Sequence, residues 1–134
     1  DTLLANNFVP VVSPVGVDGQ GNTYNINADY AASAVAGALS AQKLVFLTDV
    51  EGILKDKDDP ASILRTLSKR QALSYIADGT IKGGMIPKVQ CCIDGLEKGV
   101  ESVHVLDGRV SHAILLEIFT TKGIGTMVTD KESV

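Results

Sequence analysis

The sequence contains no tryptophan, and aromatic residues fill only 4% of its 134 positions. It has no basic run, and its formal net charge is −4. A nucleic-acid surface needs clustered cations with stacking platforms, so no nucleic-acid partner is expected. No apolar run approaches the roughly 20 residues that cross a bilayer, which argues against a membrane-embedded role. The opening Asp1-Thr2-Leu3-Leu4-Ala5-Asn6-Asn7 lacks the charged n-region and cleavage pattern of a signal peptide, so a cytoplasmic location is expected, or plastid stroma in a eukaryote. Only two cysteines occur, Cys91 and Cys92, and they are adjacent. That spacing suits neither zinc nor an unstrained disulfide, so both are read as small core thiols in a reducing compartment. The P-loop spacing G-x-x-x-x-G-K-S/T is also missing. What remains is globular: 45% hydrophobic and 21% charged residues, in one domain spanning residues 1–134 with enough chain for a real core.

Short β-rich runs alternate with helical patterns. Residues 8–12 are apolar and end at Ser13-Pro14, which predicts a buried strand and a turn. The Gly/Asn/Asp cluster at 16–22 predicts a loop or tight hairpin tip. Ala28, Ala31, Ala32, Val35, Ala36 and Leu39 recur at helical spacing, with Asn27 placed to cap the first turn. That face is nearly all alanine, so the helix can approach its neighbours closely. Residues 44–47 predict a second buried strand ending at Thr48-Asp49. Residues 55–59 are charged and broken by Pro60, which predicts a solvated excursion. Ser68 with Gln71 three positions later forms a capping-box pattern for a helix to about Ala77. Ile86, Val89, Ile93 and Leu96 mark the buried stripe of another helix ending at Gly99. Residues 102–106 predict a strand stopped by Asp107-Gly108; 114–119 suggest a short helix and 125–128 a last strand.

Strands alternating with helices imply an α/β fold, a mostly parallel sheet sandwiched between helices. Ligands in such sheets sit outside the carboxyl ends of the strands, where Thr48-Asp49 and Leu106-Asp107-Gly108 fall. Little precedes the first predicted strand, so the chain is expected to start mid-protein.

Three stretches carry chemistry. In Asp78-Gly79-Thr80-Ile81-Lys82-Gly83-Gly84-Met85-Ile86-Pro87-Lys88, paired glycines open into a helix whose third residue, after Ile86 and Pro87, is a lysine. Pro87 fits a first turn because its missing N–H has no partner there. This layout puts backbone N–H groups and one cation beside a phosphate, the arrangement phosphoryl transfer requires. Asn25, Asn27 and Asp29 alternate just before and inside the predicted first helix. Asp29 is suited to hold a lysine in orientation, or simply to favour a helix N-terminus; Asn25 offers amide donors and an acceptor to a small polar substrate. Asp49, after a wholly apolar strand, is a candidate to face ligand. Asp56, Asp58 and Asp59, interleaved with Lys55 and Lys57, read as solvated surface, and His104 and His112 show no metal-type pairing. No metal-ligating residue is assigned.

Asn25-Ile26-Asn27-Ala28-Asp29, Leu47-Thr48-Asp49-Val50-Glu51-Gly52-Ile53-Leu54 and Gly83-Gly84-Met85-Ile86-Pro87-Lys88 together resemble the C-terminal signatures of the acetylglutamate kinases, in the amino-acid-kinase family. The resemblance runs from Pro10 to about Val128. It implies ATP-dependent phosphorylation of N-acetyl-L-glutamate to N-acetyl-L-glutamyl 5-phosphate in arginine biosynthesis, with ATP and Mg2+. By motif it implies that Lys88 stabilises the transferring phosphoryl group, that Asp29 organises catalytic lysines, and that Asn25 holds acetylglutamate. Asp49, Val50, Glu51, Gly52, Ile53 and Leu54, with Thr80, Ile81, Lys82 and Met85, would line the nucleotide site.

The C-terminal part is similar to arginine-inhibited members, which implies that His104, Glu117 and Gly123 sit at a feedback arginine site; a carboxylate suits a guanidinium. The wording around Cys91-Cys92 is also similar to members controlled by the signalling protein PII, a candidate partner. Members carry an N-terminal lobe with a glycine-rich phosphate loop, a second catalytic lysine and most of the acetylglutamate pocket, and they assemble as homo-oligomers. This sequence shows no such lobe, so it is expected to be the C-terminal nucleotide-binding lobe and inactive alone. Two alternatives stay open: the lobe of a carbamate, glutamate or aspartate kinase, and a non-catalytic module sensing nucleotide or arginine.

Overall fold

The computed structural model describes residues 1–131. A short helix α1 (Thr2–Ala5) leads into an antiparallel hairpin of β1 (Val15–Val17) and β2 (Thr23–Asn25). The predicted turn cluster forms its tip. There Asp18 accepts hydrogen bonds from the Asn22 side chain and N–H, from the Tyr24 hydroxyl and from the Gln20 N–H, which together pull its pKa down to about 2. Helix α2 (Ala28–Ala38) starts as expected: the side-chain Oδ1 of Asn27 accepts from the N–H groups of Asp29 and Tyr30.

β3 (Lys43–Thr48), β4 (Thr66–Ser68), β5 (Ser102–Asp107) and β6 (Thr126–Thr129) form one sheet in the order β3-β5-β6-β4. β3 pairs with β5 in parallel and β4 with β6 in parallel, while β5 and β6 run antiparallel. The tips of β3 and β5 therefore share one edge, with Thr48 opposite Asp107, and Thr126 at the start of β6 lies opposite Val105 close by. Helix α3 (Lys69–Ala77) carries the complete capping box, with Ser68 Oγ accepting from the Gln71 N–H and Gln71 Oε1 accepting from the Ser68 N–H.

Helix α4 (Met85–Glu97) lays Val89, Cys92, Ile93 and Leu96 on the sheet face carrying Leu44, Phe46, Val103, Val105 and Val128. α2 packs against α4 and β3, and Ser33 Oγ, fully buried, donates to the Cys91 carbonyl at 2.9 Å. Helix α5 (Ala113–Phe119) covers β5 from the opposite face, so every residue of β5 is buried. Both thiols are buried and free, as expected, and burial pushes the Cys92 thiol up to about 12.

The apolar run at 8–12 departs from expectation. It joins neither sheet, and Val9 and Val11 stand 89% and 96% exposed. β-propensity describes a fit to a pleated, half-buried surface, and no described strand lies beside this run to provide one. Leu47, expected inside, is 53% exposed on edge strand β3. β4 was not anticipated, because three residues are too few for a period to show.

Candidate active site

Lys88 is the fourth residue of α4, one position later than expected because the helix begins at Met85. Its ammonium lies 2.8 Å from Asp29 Oδ2, across 59 residues of sequence. Each partner stands in the first turns of its helix, and the packing of α2 on α4 brings the two starts together. The aromatic ring of Phe46 lies under the ammonium, 5.6 Å away at its centroid. The lysine side chain retains 19% exposure and that of Asp29 30%, so the pair is held but open on one side. An anion reaching that side meets a cation whose position is already fixed.

Met85, one turn before Lys88, closes a cavity of about 150 Å³ lined also by Val50, Gly52, Leu54, Lys57, Thr80, Ile81 and Lys82. The two stretches assigned to nucleotide therefore meet although they are about thirty residues apart in sequence. The cavity is smaller than the roughly 300–1,000 Å³ usual for a whole ligand. Asp78 Oδ1 accepts from the Thr80 N–H and fixes the 78–81 turn. Ile53 stands behind the wall, fully buried, with its N–H donated to Thr126 Oγ1 at 2.8 Å.

Not every expected residue reaches the cavity. Asp49 and Glu51 are exposed beside it rather than in its lining, Asp49 accepting from Thr48 Oγ1 at the tip of β3. Asn25 ends β2, exposed, two residues before the cap of α2. Three residues were not singled out in the sequence: Lys57, read there as surface charge, lines the cavity; Phe46 underlies the ammonium; Thr126 braces the wall. An aromatic inside a strand that ends at a candidate carboxylate was the one available signal for Phe46.

A second cluster lies on the opposite sheet face. His104 Nδ1 is 2.8 Å from Glu117 Oε1, and both side chains are only 6% exposed. Glu117 Oε2 accepts from the N–H groups of Ile124 at 2.7 Å and Gly125 at 3.1 Å. Burial on its own would raise this carboxyl, but the hydrogen bonds from His104 and the two backbone groups outweigh it and hold the pKa below the usual glutamate value. An ionised carboxylate only accepts, so Nδ1 of His104 carries the proton, and Nε2 faces Ser102 Oγ at 3.2 Å. A Cβ placed on Gly123 would come within 2.5 Å of Glu117 Oε2, so glycine alone allows this closeness. His104, Glu117 and Gly123 thus lie together in the structure.

Among the described residues no group of three or more His, Cys, Asp or Glu side chains could hold a metal ion, and no helix is long and apolar enough to cross a membrane.

Acetylglutamate kinase of Pelotomaculum thermopropionicum is 58% identical over 127 residues, covering 95% of this chain and 43% of that protein. Acetylglutamate kinase of Methanococcus aeolicus is 50% identical over 129 residues, 96% of this chain and 44% of that protein. The chain spans less than half the length of these curated relatives. Among solved structures, N-acetylglutamate synthase from Neisseria gonorrhoeae, complexed with coenzyme A and L-arginine, superposes with a TM-score of 0.85 at 31% identity, over 97% of this chain and 30% of that one. Carbamate kinase from Giardia lamblia bound to AMP-PNP, at 22% identity and a TM-score of 0.73 over 96% of this chain and 42% of that one, shares the fold. The model of the amino acid kinase family matches residues 1–107, well over half of the sequence, and the chain belongs to that family.

Proposed function

We propose that this chain is the nucleotide-binding part of an acetylglutamate kinase, which transfers the terminal phosphoryl group of ATP to the side-chain carboxylate of N-acetyl-L-glutamate. The observation that carries the reading is the Lys88–Asp29 pair, fixed at 2.8 Å one turn from the cavity wall formed by Met85. In the transfer a carboxylate oxygen attacks the γ-phosphorus while the bond to ADP breaks, and charge spreads over the phosphoryl oxygens. Lys88 offsets that charge, and Asp29 holds the ammonium in place without neutralising its open side. Residues 50–54 and 80–85 seat part of the nucleotide, and Asn25 orients the acceptor. Magnesium, when bound with ATP, would supply further neutralisation of the phosphates; among the described residues no cluster of metal-ligating side chains is assigned to it.

The regulatory part of the reading is feedback inhibition by arginine at His104, Glu117 and Gly123, in a homo-oligomeric parent enzyme of arginine biosynthesis. It is supported by the convergence of those three residues and by the L-arginine present in the structure of the Neisseria synthase. The signalling protein PII is carried as a candidate partner on sequence similarity alone.

The test is an acceptor panel on the parent enzyme. Acyl phosphate forms with N-acetylglutamate and ATP; turnover only with carbamate, glutamate or aspartate would end the assignment. The 134-residue chain alone binds ATP weakly and gives no turnover, and acetylglutamate-dependent ATP consumption by it would refute the division of labour between lobes. Binding of ATP and of arginine by a parent that never turns over with any acceptor would instead favour a sensor.

A further inference from the structure

Thr126 begins β6 and is fully buried, yet its hydroxyl has a long-range task. Oγ1 accepts the N–H of Ile53 at 2.8 Å, across 73 residues of sequence. Ile53 is the middle residue of the 50–54 wall, whose Val50, Gly52 and Leu54 line the cavity. The wall's other backbone bond at this residue runs from the Leu64 N–H to the Ile53 carbonyl at 2.8 Å. Ile53 is thus gripped on both polar groups, and only one grip comes from the sheet. The fit is close: a Cβ on Gly52 would stand 2.7 Å from Thr126 Oγ1 and 3.0 Å from Ile63 Cδ1.

The hydroxyl is itself placed firmly. Thr126 is paired with Val105 in the sheet, and the preceding Gly125 N–H is held by Glu117 Oε2. One side of Thr126 is therefore set by the scaffold, and the other side sets the wall. We propose that Thr126 is a positioning residue for the nucleotide cavity, holding the 50–54 wall at the depth that ATP requires. The inference rests on the cavity being the ATP site, as proposed above.

The parent enzyme is compared with Thr126→Val, which keeps the shape and loses the acceptor, and Thr126→Ser, which keeps the acceptor. The readouts are KM for ATP, KM for N-acetylglutamate, and hydrogen exchange of the Ile53 amide. Losing one buried acceptor should raise KM for ATP about tenfold in Thr126→Val and leave that for N-acetylglutamate within about twofold, with faster Ile53 exchange. Thr126→Ser should stay within about threefold of wild type on both, its Ile53 amide still protected. A wild-type KM for ATP in Thr126→Val despite a freely exchanging Ile53 amide would overturn the proposal, as would equal rises in both KM values. If Thr126→Val does not fold, Thr126→Cys reads the same contact with a weaker acceptor: a selective rise in KM for ATP supports the proposal and an unchanged value overturns it. ATP-dependent protection of the 50–54 and 80–85 amides in wild type separates the two layers. Its absence sinks the nucleotide reading and this inference with it, whereas its presence with an indifferent Thr126→Val sinks the inference alone.

Discussion

Replacing Lys88 by alanine in the parent enzyme lowers kcat by about 10²–10³-fold, the size lost when one preorganised donor to a transition-state anion is removed. KM for both substrates stays within a few-fold. On the proposed reading this ammonium gains most when phosphoryl charge is in motion, so its interaction is stronger in the transition state than in the bound ground state. Stability should hardly change: a partly exposed ion pair contributes about 1 kcal/mol or less, and the side chains of Lys88 and Asp29 keep 19% and 30% exposure. Initial rates over both substrates, with a thermal melt alongside, separate the two quantities. A defect confined to KM would mean that Lys88 only binds, and a large fall in melting temperature with normal kcat would make it structural.

Glu117→Ala has its largest effect on folding rather than on catalysis. The carboxylate serves three donors, the ring of His104 and the N–H groups of Ile124 and Gly125, in a site almost closed to water. Removing it strands those donors and costs about 3 kcal/mol, a fall of about 10 °C in melting temperature for a domain of this size. The same group gives a signed pH effect. Its folded pKa lies below the ordinary value of 4.5, so its stabilisation is present above that value and is lost as pH falls through the folded pKa. The stability gap between wild type and Glu117→Gln should therefore be constant near neutrality and narrow below about pH 4.5. A gap that widens in acid would contradict the pairing. Arginine inhibition is then best probed in Glu117→Gln, which fills the same space; unchanged inhibition would remove Glu117 from the effector site.

Local physics made much of the fold legible in advance. Asn27 capping α2, the Ser68–Gln71 box opening α3 and the Val89–Ile93–Leu96 stripe of α4 all depend on neighbours three or four residues away, and all are present. Lys88 and Asp29 were legible as chemistry, each at a predicted helix start, but their contact depends on how α2 meets α4. What stayed hidden was long-range. The 73-residue tie from Thr126 to Ile53, the antiparallel pairing of β6 with β5 and the recruitment of Lys57 into the cavity are set by topology, which a linear pattern does not display. Residues 8–12 failed in the other direction, because an apolar extended run shows the capacity to pair and says nothing about whether a neighbour is there.

The Lys88–Asp29 contact bridges two helices rather than two loops, and those helices are pinned to each other by the buried bond from Ser33 to the Cys91 carbonyl. Loops can breathe at little expense, but sliding one packed rod along another breaks an entire seam at once. The Lys88 ammonium therefore inherits the rigidity of the hydrophobic interior. On the proposed reading, a slow step that limits turnover would belong to the cavity rim rather than to this seam, and relaxation measurements should find α2 and α4 quiet on the timescale of the catalytic cycle.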